Sequence, residues 1–487
     1  MMKRLCIGLI CMFTLIGAQE AFAETVISDF LEELIPLEKL ELAGYFKNET
    51  SVKFASFDRA MKIKNIADLK GNYEFTDWFH MFVEFNFFYD HVYDVEGRYR
   101  TLVVEEKNAK LRMPEKLQWL REAYFDIYTP KVDMRIGKQQ VVWGTTDGVR
   151  ILDMVNPLDY REWTIKDYSE IRIPLWMGKF ETELTPNGTL QFLVIPDYEP
   201  NYYAPAGSPF ALRTVVIGAE AANQDFITVS TINEYPERTV ENTKYGVRWR
   251  DIIEEGPFSG LEYTLNYLHT YDFASSAYST TNLVRPFPLL LRVNLRRQAE
   301  QIEVFGGSFS KSITKGVPGL EELTRGWTIR GEYAYIMNGA MNFGTDRTIQ
   351  GTVDVDQHKW AIGLDKTAFT NWDFSVQFIQ LIADSTETYN EVLYGLLFGP
   401  TRGPLDETES LVTLRIATDF AHERVRPEIL VIYADDKDWR ISPKVNFEIN
   451  DNWMFTTGIH IFDGNPQYLN GQFEDNDQIF FETKYSW

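Results

Sequence analysis

Ile479-Phe480-Phe481-Glu482-Thr483-Lys484-Tyr485-Ser486-Trp487 is the stretch on which the fold turns. Successive side chains in a strand point to opposite faces. Ile479, Phe481, Thr483, Tyr485 and Trp487 therefore share one face, and Glu482, Lys484 and Ser486 share the other. An apolar-out, charged-in ribbon ending on an aromatic residue suits the closing strand of a membrane barrel. In a soluble domain the same residues would form an edge strand at an end that tends to fray. Phe481, Tyr485 and Trp487 are accordingly candidate assembly residues, offering an outward aromatic register to the barrel-assembly machinery.

The alternation recurs upstream. Trp439, Ile441, Val445, Phe447 and Ile449 interleave with Arg440, Ser442, Lys444, Asn446 and Glu448; the turn Asn450-Asp451-Asn452 then leads into Trp453, Phe455, Thr457, Ile459 and Ile461. Phe79, Met81, Val83, Phe85, Phe87 and Tyr89 interleave with His80, Glu84, Asn86 and Asp90. One such run fits a half-buried strand of a sandwich. Many, bounded by Asn, Asp, Gly and Pro turns, favour a membrane barrel.

Strand cores are predicted at 40–50, 61–72, 78–90, 119–128, 133–142, 170–183, 189–196, 243–252 and 259–270. They continue at 298–310, 326–338, 357–366, 372–383, 409–420, 425–434, 439–449, 453–463 and 478–487. Short links alternate with longer ones at 91–118, 143–169, 197–242, 271–297, 339–356 and 384–408, as periplasmic turns alternate with extracellular loops. The reading is an all-β, antiparallel outer-membrane barrel of about 18 strands (range 16–18) with periplasmic termini. The 197–242 link has room for a helix at Phe210 to Ala222 or for an extra strand pair.

The N-terminus agrees with export. Lys3 and Arg4 precede an apolar run from Leu5 to Gly17, then Ala21-Phe22-Ala23. A basic head, a run too short to span a bilayer and an A-x-A site predict a secretory signal over residues 1–23, cleaved after Ala23. Both cysteines, Cys6 and Cys11, lie inside it, so the exported part has neither disulfides nor cysteine metal sites. Residues 24–37 suit a short amphipathic periplasmic helix, or a frayed terminus, ahead of a barrel over 38–487. Beyond residue 23 no stretch approaches the roughly 20 apolar residues of a membrane helix. Hydrophobic residues make up 44% and charged residues 24% of the chain, an average that looks soluble because outward and inward faces cancel.

The middle of the chain carries Arg135-Ile136-Gly137-Lys138-Gln139-Gln140-Val141-Val142-Trp143-Gly144, followed by Asn156-Pro157-Leu158-Asp159. Over residues 121–161 this resembles an uncharacterised family of proteobacterial outer-membrane barrels, porin-like and alginate-exporter-like, with an R-x-G-[KR]-Q-x-V-x-W-G block and N-P-x-D. The resemblance implies traffic of lipidic or hydrophobic molecules, with an inner-membrane exporter and a periplasmic carrier as partners.

The same segment yields a register. If Thr129 to Val132 closes a hairpin, position i pairs with 261 minus i, placing Asp126 opposite Arg135 and Glu122 opposite Gln139 on the lumen face. Beyond Trp143 the chain is expected to bend inward at Gly144 and Gly148, as irregular backbone at membrane depth must line a cavity. Arg135, Lys138, Asp147, Arg150, Asp153, Asn156 and Asp159 are the candidate constriction residues; His80, Glu84, Glu122 and Asp126 are candidate lumen residues. Strict alternation from Arg135 points Lys138 outward unless the strand bulges. The alternative is an extracellular loop whose charges merely face water.

A net charge of -23 argues against a nucleic-acid partner. Outer-membrane lipid and lipopolysaccharide are the expected surroundings in a Gram-negative envelope. The six histidines belong to no G-x-S-x-G or H-E-x-x-H pattern, and no calcium loop is present; no enzyme, metal or cofactor is expected. The functional expectation is a porin-like channel for small molecules. Its rival is a plugged barrel with a structural, assembly or adhesion role.

Overall fold

In a computed structural model, the described residues are 37–54, 56–97, 116–205, 207–212, 227–274, 276–286, 289–316, 319–345, 348–384, 392–393, 408–466 and 468–487. Residues 1–36 lie outside this set, and with them the predicted signal and the 24–36 part of the predicted helix. A single turn of 3-10 helix at Leu37–Lys39 leads into the first strand.

The strands are β1 (Leu40–Lys53), β2 (Ala60–Thr76), β3 (Phe79–Asp90), β4 (Leu120–Tyr128), β5 (Asp133–Gln139) and β6 (Leu175–Thr185). Next come β7 (Gly188–Ile195), β8 (Lys244–Ile253), β9 (Leu261–Tyr271), β10 (Gln301–Ser312), β11 (Trp327–Thr345) and β12 (Thr348–Ala368). The last six are β13 (Trp372–Ala383), β14 (Thr408–Ala417), β15 (Val425–Ala434), β16 (Asp438–Glu448), β17 (Trp453–Asp463) and β18 (Gln478–Ser486). Each pairs antiparallel with its neighbours, and β1 pairs with both β2 and β18, so the sheet closes into a barrel of 18 strands. Closure removes every edge, which hydrocarbon demands because it offers unpaired backbone groups no partner. Among the described residues no helix is long and apolar enough to cross a membrane; here the strands would cross.

Alternation sorts the two faces. Phe305 and Phe309 on β10, Ile362 and Leu364 on β12, and Val376 and Phe378 on β13 are exposed outward. Their neighbours Ile302, Val304, Ala361, Gln377 and Ile379 are buried inward. Local chemistry sets the turns. The Asn450 carboxamide oxygen accepts from the backbone N–H groups of Asn452 and Trp453, both at 3.0 Å. The Thr129 hydroxyl accepts from Val132 N–H at 3.0 Å and donates to its carbonyl at 2.7 Å.

All 18 predicted strands have a counterpart, with boundary corrections. β5 stops at Gln139, short of 142, and β6 starts at Leu175 because 168–171 form one helical turn. The 339–356 link is largely an extension of β11 and β12, paired out to Thr345 opposite Thr348. The 271–297 link carries strands Ser276–Pro286 and Leu289–Gln298, and Ile227–Glu234 runs parallel to the second of these. The predicted helix from Phe210 to Ala222 lies largely outside the described residues, since 213–226 are not among them.

The closure seam generates a prediction. Tyr485 lies opposite Phe46 and Phe481 opposite Thr50; the Trp487 ring packs on Phe46 at 5.0 Å and the Trp487 backbone N–H donates to Gly44 carbonyl at 3.1 Å. Replacing Phe481 and Trp487 together with Ser is expected to leave export intact and to abolish most insertion. Outer-membrane fractionation and heat-dependent gel migration read this out; normal insertion would contradict it.

Candidate functional site: a loop packed across the lumen

After Gln139 the chain leaves the wall and runs through the barrel interior until β6 begins at Leu175. Asn156, fully buried, fastens the two limbs together. Its side-chain oxygen accepts from Val141 N–H at 2.9 Å, and its amide donates to Ile173 carbonyl at 2.9 Å. Val141, Trp143, Val149, Ile151, Leu152 and Val155 are buried against inward residues of the wall, among them Leu193, Leu268, Val304, Ile336, Ile379 and Ile432. Burying each such side chain is worth roughly 1.5–3 kcal/mol, enough in sum to make the loop a fixed strut.

The wall is shaped to receive it. Gly246 on β8 sits under the Trp143 ring, where an added Cβ would come within 2.7 Å of the indole. Gly306 on β10 leaves the space that Leu152 fills. The Trp143 indole N–H donates to Gln191 on β7 at 2.7 Å, so its polar edge is satisfied inside the core.

The tip reaches the far wall. The Glu332 carboxylate on β11 accepts from the Thr145 backbone N–H, from the Thr145 hydroxyl at 2.8 Å and from Leu152 N–H at 3.3 Å. Asp147 pairs with Arg330, which also holds Asp365 at 2.7 Å, and accepts from Gln377 at 3.1 Å. Arg330 is only three residues from the start of β11, so the tip enters the half of the barrel in which β1 begins and β18 ends.

The returning limb is tied to the closure seam. Glu162 bridges Lys62 and Lys64 of β2, each at 2.7 Å. Lys166 bonds Glu49 of β1 at 3.0 Å, and Lys47 meets Glu49 at 2.7 Å, Glu170 at 3.2 Å and Glu482 of β18 at 3.6 Å. Four ammonium groups thus neutralise four carboxylates. β1 and β11 are ten strands apart in a ring of eighteen, so the loop spans the lumen nearly along a diameter.

Two other segments pack beside it. Leu158, Tyr160, Trp163 and Ile171 of the loop share a core with Ala204, Phe210 and Leu212 and with Phe473 from the link before β18. The buried Asp438 carboxylate clamps that link, accepting from Asn470 N–H at 2.9 Å and Gly471 N–H at 2.6 Å.

The sequence candidates divide. Arg135 lies opposite Asp126 and grips it with bonds of 2.7 and 3.0 Å. Arg150 donates to Asn156 carbonyl at 2.8 Å, and Asp153 accepts from Arg172 at 2.6 Å. Asp147 and Asn156 are in the loop as described, and Asp159 is held by its neighbour Arg161 at 2.8 Å. Lys138 is a correction: it lies opposite the outward Ala123 and Trp176, and its ammonium folds back to Leu120 carbonyl at 2.6 Å, away from the loop. His80 lies opposite Asp126, and Glu84 opposite Glu122, on the inward register. Glu122 accepts from Gln140 N–H at 3.2 Å, where the loop departs. Glu332, Arg330, Glu162, Lys166 and the glycine sockets were missed, since their roles depend on the register between distant strands. No cluster able to hold a metal is found among the described residues.

The network fixes a pH window. Burial, the largest influence on Glu162, pushes its carboxyl up, but Lys166, Lys62 and Lys64 together hold it well below the usual carboxylate range. Burial pushes the Lys166 ammonium down, but Glu162, Glu49 and Glu170 outweigh it and hold it well above the usual lysine range. A depressed carboxyl contributes stability above its unfolded pKa of about 4.3, lost as pH falls through the folded value. A raised ammonium contributes stability below its unfolded pKa of about 10.4, lost as pH rises through the folded value. The share of docking that rests on Glu162 and Lys166 is therefore expected to be constant between about pH 5 and 10. A spin label at Ser169→Cys should report constant immobilisation across that window. Lys166→Met, which leaves Glu49 short of a partner, should destabilise docking by about 3–5 kcal/mol and mobilise the label. A mobility step inside the window would contradict the assignment.

No curated protein matches the chain in sequence. Among solved structures it is similar to OccAB2 of Acinetobacter baumannii, at 10% identity and a TM-score of 0.49 over 92% of this chain and 98% of that one. It is similar to OccD3 (OpdP) of Pseudomonas aeruginosa, at 10% identity and 0.48 over 92% and 91%. A BenF-like porin from Pseudomonas fluorescens gives 9% and 0.46 over 92% and 97%. Likenesses this distant say nothing of cargo. A family profile, in contrast, matches residues 48–487, and the chain belongs to the family described as protein of unknown function (DUF1302).

Proposed function

We propose that this protein is an outer-membrane channel for small molecules whose passage is set by the fixed loop 140–174. The observation that carries the reading is the loop's course across the lumen, from Glu332 on β11 to Glu49 on β1. A strut on a diameter narrows a wide barrel without filling it. On its periplasmic side a cavity of about 740 Å³ remains, with a lining that includes Lys131, Glu181, Arg248 and Arg250. The passage is then a constriction beside the loop, its size and field set by inward side chains.

Arg135 and Arg150 belong to that lining in this reading, each neutralised locally by a carboxylate, Asp126 and Asp153 respectively. Removing Arg135 uncovers the Asp126 carboxylate, and removing Arg150 leaves Asp153 with Arg172 alone.

A second reading has one observation on its side. From β6 to β15 the inward wall beside the loop carries an apolar patch, with Leu193, Ile302, Ile336, Leu381 and Leu411 in one core. Lipidic cargo delivered by an envelope exporter would use that surface, provided the loop lifted away. The loop already occupies it, which favours polar cargo.

Planar-bilayer recording tests the proposal. Shortening 145–158 is expected to raise single-channel conductance several-fold, and Arg135→Ala or Arg150→Ala to shift selectivity toward cations. Unchanged conductance and selectivity in all three would place the loop outside the pathway and favour the plugged barrel.

A further inference from the structure

The cavity below the loop has an ordered charge pattern. Asp133 on β5 lies opposite Glu181 on β6, Glu181 opposite Gln191 on β7, and Gln191 opposite Arg248 on β8. One pleat nearer the periplasm, Glu183 lies opposite Thr189, and Thr189 opposite Arg250. All of these residues line the cavity. Each row therefore runs from carboxylate through a neutral hydrogen-bonding side chain to guanidinium. Acids collect on the β5–β6 wall and guanidinium groups on β8.

The spacing follows from sheet geometry. Neighbouring strands lie about 4.8 Å apart, so Glu183 to Arg250 and Glu181 to Arg248 each span two steps, about 10 Å. Among the described residues neither row closes into a direct ion pair, unlike the Arg135–Asp126 pair next door at 2.7 Å.

The members of the pattern are held differently: Arg250 pairs with Glu262 at 2.7 Å and Glu181 with Lys179 at 2.6 Å. Gln191 donates to Glu181 at 2.8 Å while accepting from Trp143 of the loop, and Arg248 donates to Val142 carbonyl at 3.2 Å. The loop thereby fixes one end of the row it roofs. The Arg248 Nε is buried and has no hydrogen-bond partner. Asp133 and Glu183 make no ion pair among the described residues.

We infer that this cavity is a binding subsite for small zwitterions of about tripeptide length, with the carboxylate on Arg248 and Arg250 and the ammonium on Glu183 and Asp133. An extended chain spans about 3.3–3.6 Å per residue, so three residues match the 10 Å rows. The proposal rests on the channel reading for its biological use, but the subsite is defined by geometry alone. A monopolar ion meets attraction at one wall and repulsion at the other, whereas a zwitterion of matching length meets attraction at both. Thr189 and Gln191 lie between the charged ends, where peptide groups would need partners.

Saturation-transfer NMR on the detergent-solubilised barrel tests it, with trialanine as probe and its N-acetylated, C-amidated form as the uncharged control. Trialanine is expected to bind about tenfold more tightly than the capped form, the scale of one charged hydrogen bond. Arg248→Gln and Glu183→Gln should each remove that advantage and leave the capped peptide's weak binding unchanged. Asp133→Asn, away from the loop's contacts, serves if Arg248→Gln disturbs folding, judged by heat-dependent migration. Equal binding of both peptides, or variants that retain the difference, would overturn the inference. Bilayer recording separates the two readings: a conducting barrel that does not distinguish the peptides removes the subsite and keeps the channel. A barrel that distinguishes them without conducting removes the channel and keeps the subsite.

Discussion

Inside a hydrocarbon layer no backbone N–H or carbonyl can go unpaired, and the rest of this structure depends on that constraint. It is met by pairing β18 back onto β1, from Tyr45 opposite Ser486 to Lys53 opposite Gln478. The junction is more than a line of backbone bonds. Lys47 and Glu49 project from β1 into the lumen, Lys62 and Lys64 from β2 and Glu482 from β18, and the loop's Glu162 and Lys166 complete their charge balance. Isolated charges in such an interior would be costly, and a neutral, closely paired set removes that cost. The site where the barrel closes is thus the site where its inserted loop is anchored.

The lumen has two kinds of wall as a consequence. Near the seam it is charged and takes the returning limb through ion pairs. Across the barrel an apolar patch takes Trp143, Ile151 and Leu152, with Glu332 and Arg330 beside it holding the tip. A loop with one polar limb and one apolar limb has a single way to lie between such walls. Asn156, bonding both limbs, holds them in that arrangement. The space below is bounded by Asp133, Glu181 and Glu183 on one side and by Arg248 and Arg250 on the other.

Much of this was legible in the sequence because a period of two is a strong local signal. Each of the 18 wall strands had a predicted core, and the 261 minus i register held from Ala123–Lys138 to Tyr128–Asp133. Lys138 shows the limit: its outward register followed from alternation, but the motif drew it into the constriction set. The sockets at Gly246 and Gly306 were illegible because a glycine in a strand does not announce which distant side chain it admits. Glu332 and Glu162 read as ordinary lumen or loop charges until the barrel brought their partners within bonding distance. Strands within 271–297 were missed because strands that pair beyond the barrel wall need not carry its two-faced alternation. The β11–β12 extension beyond residues 338 and 357 was missed for the same reason.

The central claim is that the loop is a fixed strut beside which solutes pass. The most direct test joins its tip to the wall. Asp147→Cys and Gln377→Cys replace residues bonded at 3.1 Å, in a chain whose two cysteines both lie at or before residue 11. A short thiol cross-linker applied to the bilayer-embedded protein is predicted to join the two positions completely and to leave single-channel conductance unchanged. Slow or partial cross-linking, or a conductance that falls when the bridge forms, would show that the loop moves during passage and contradict the account.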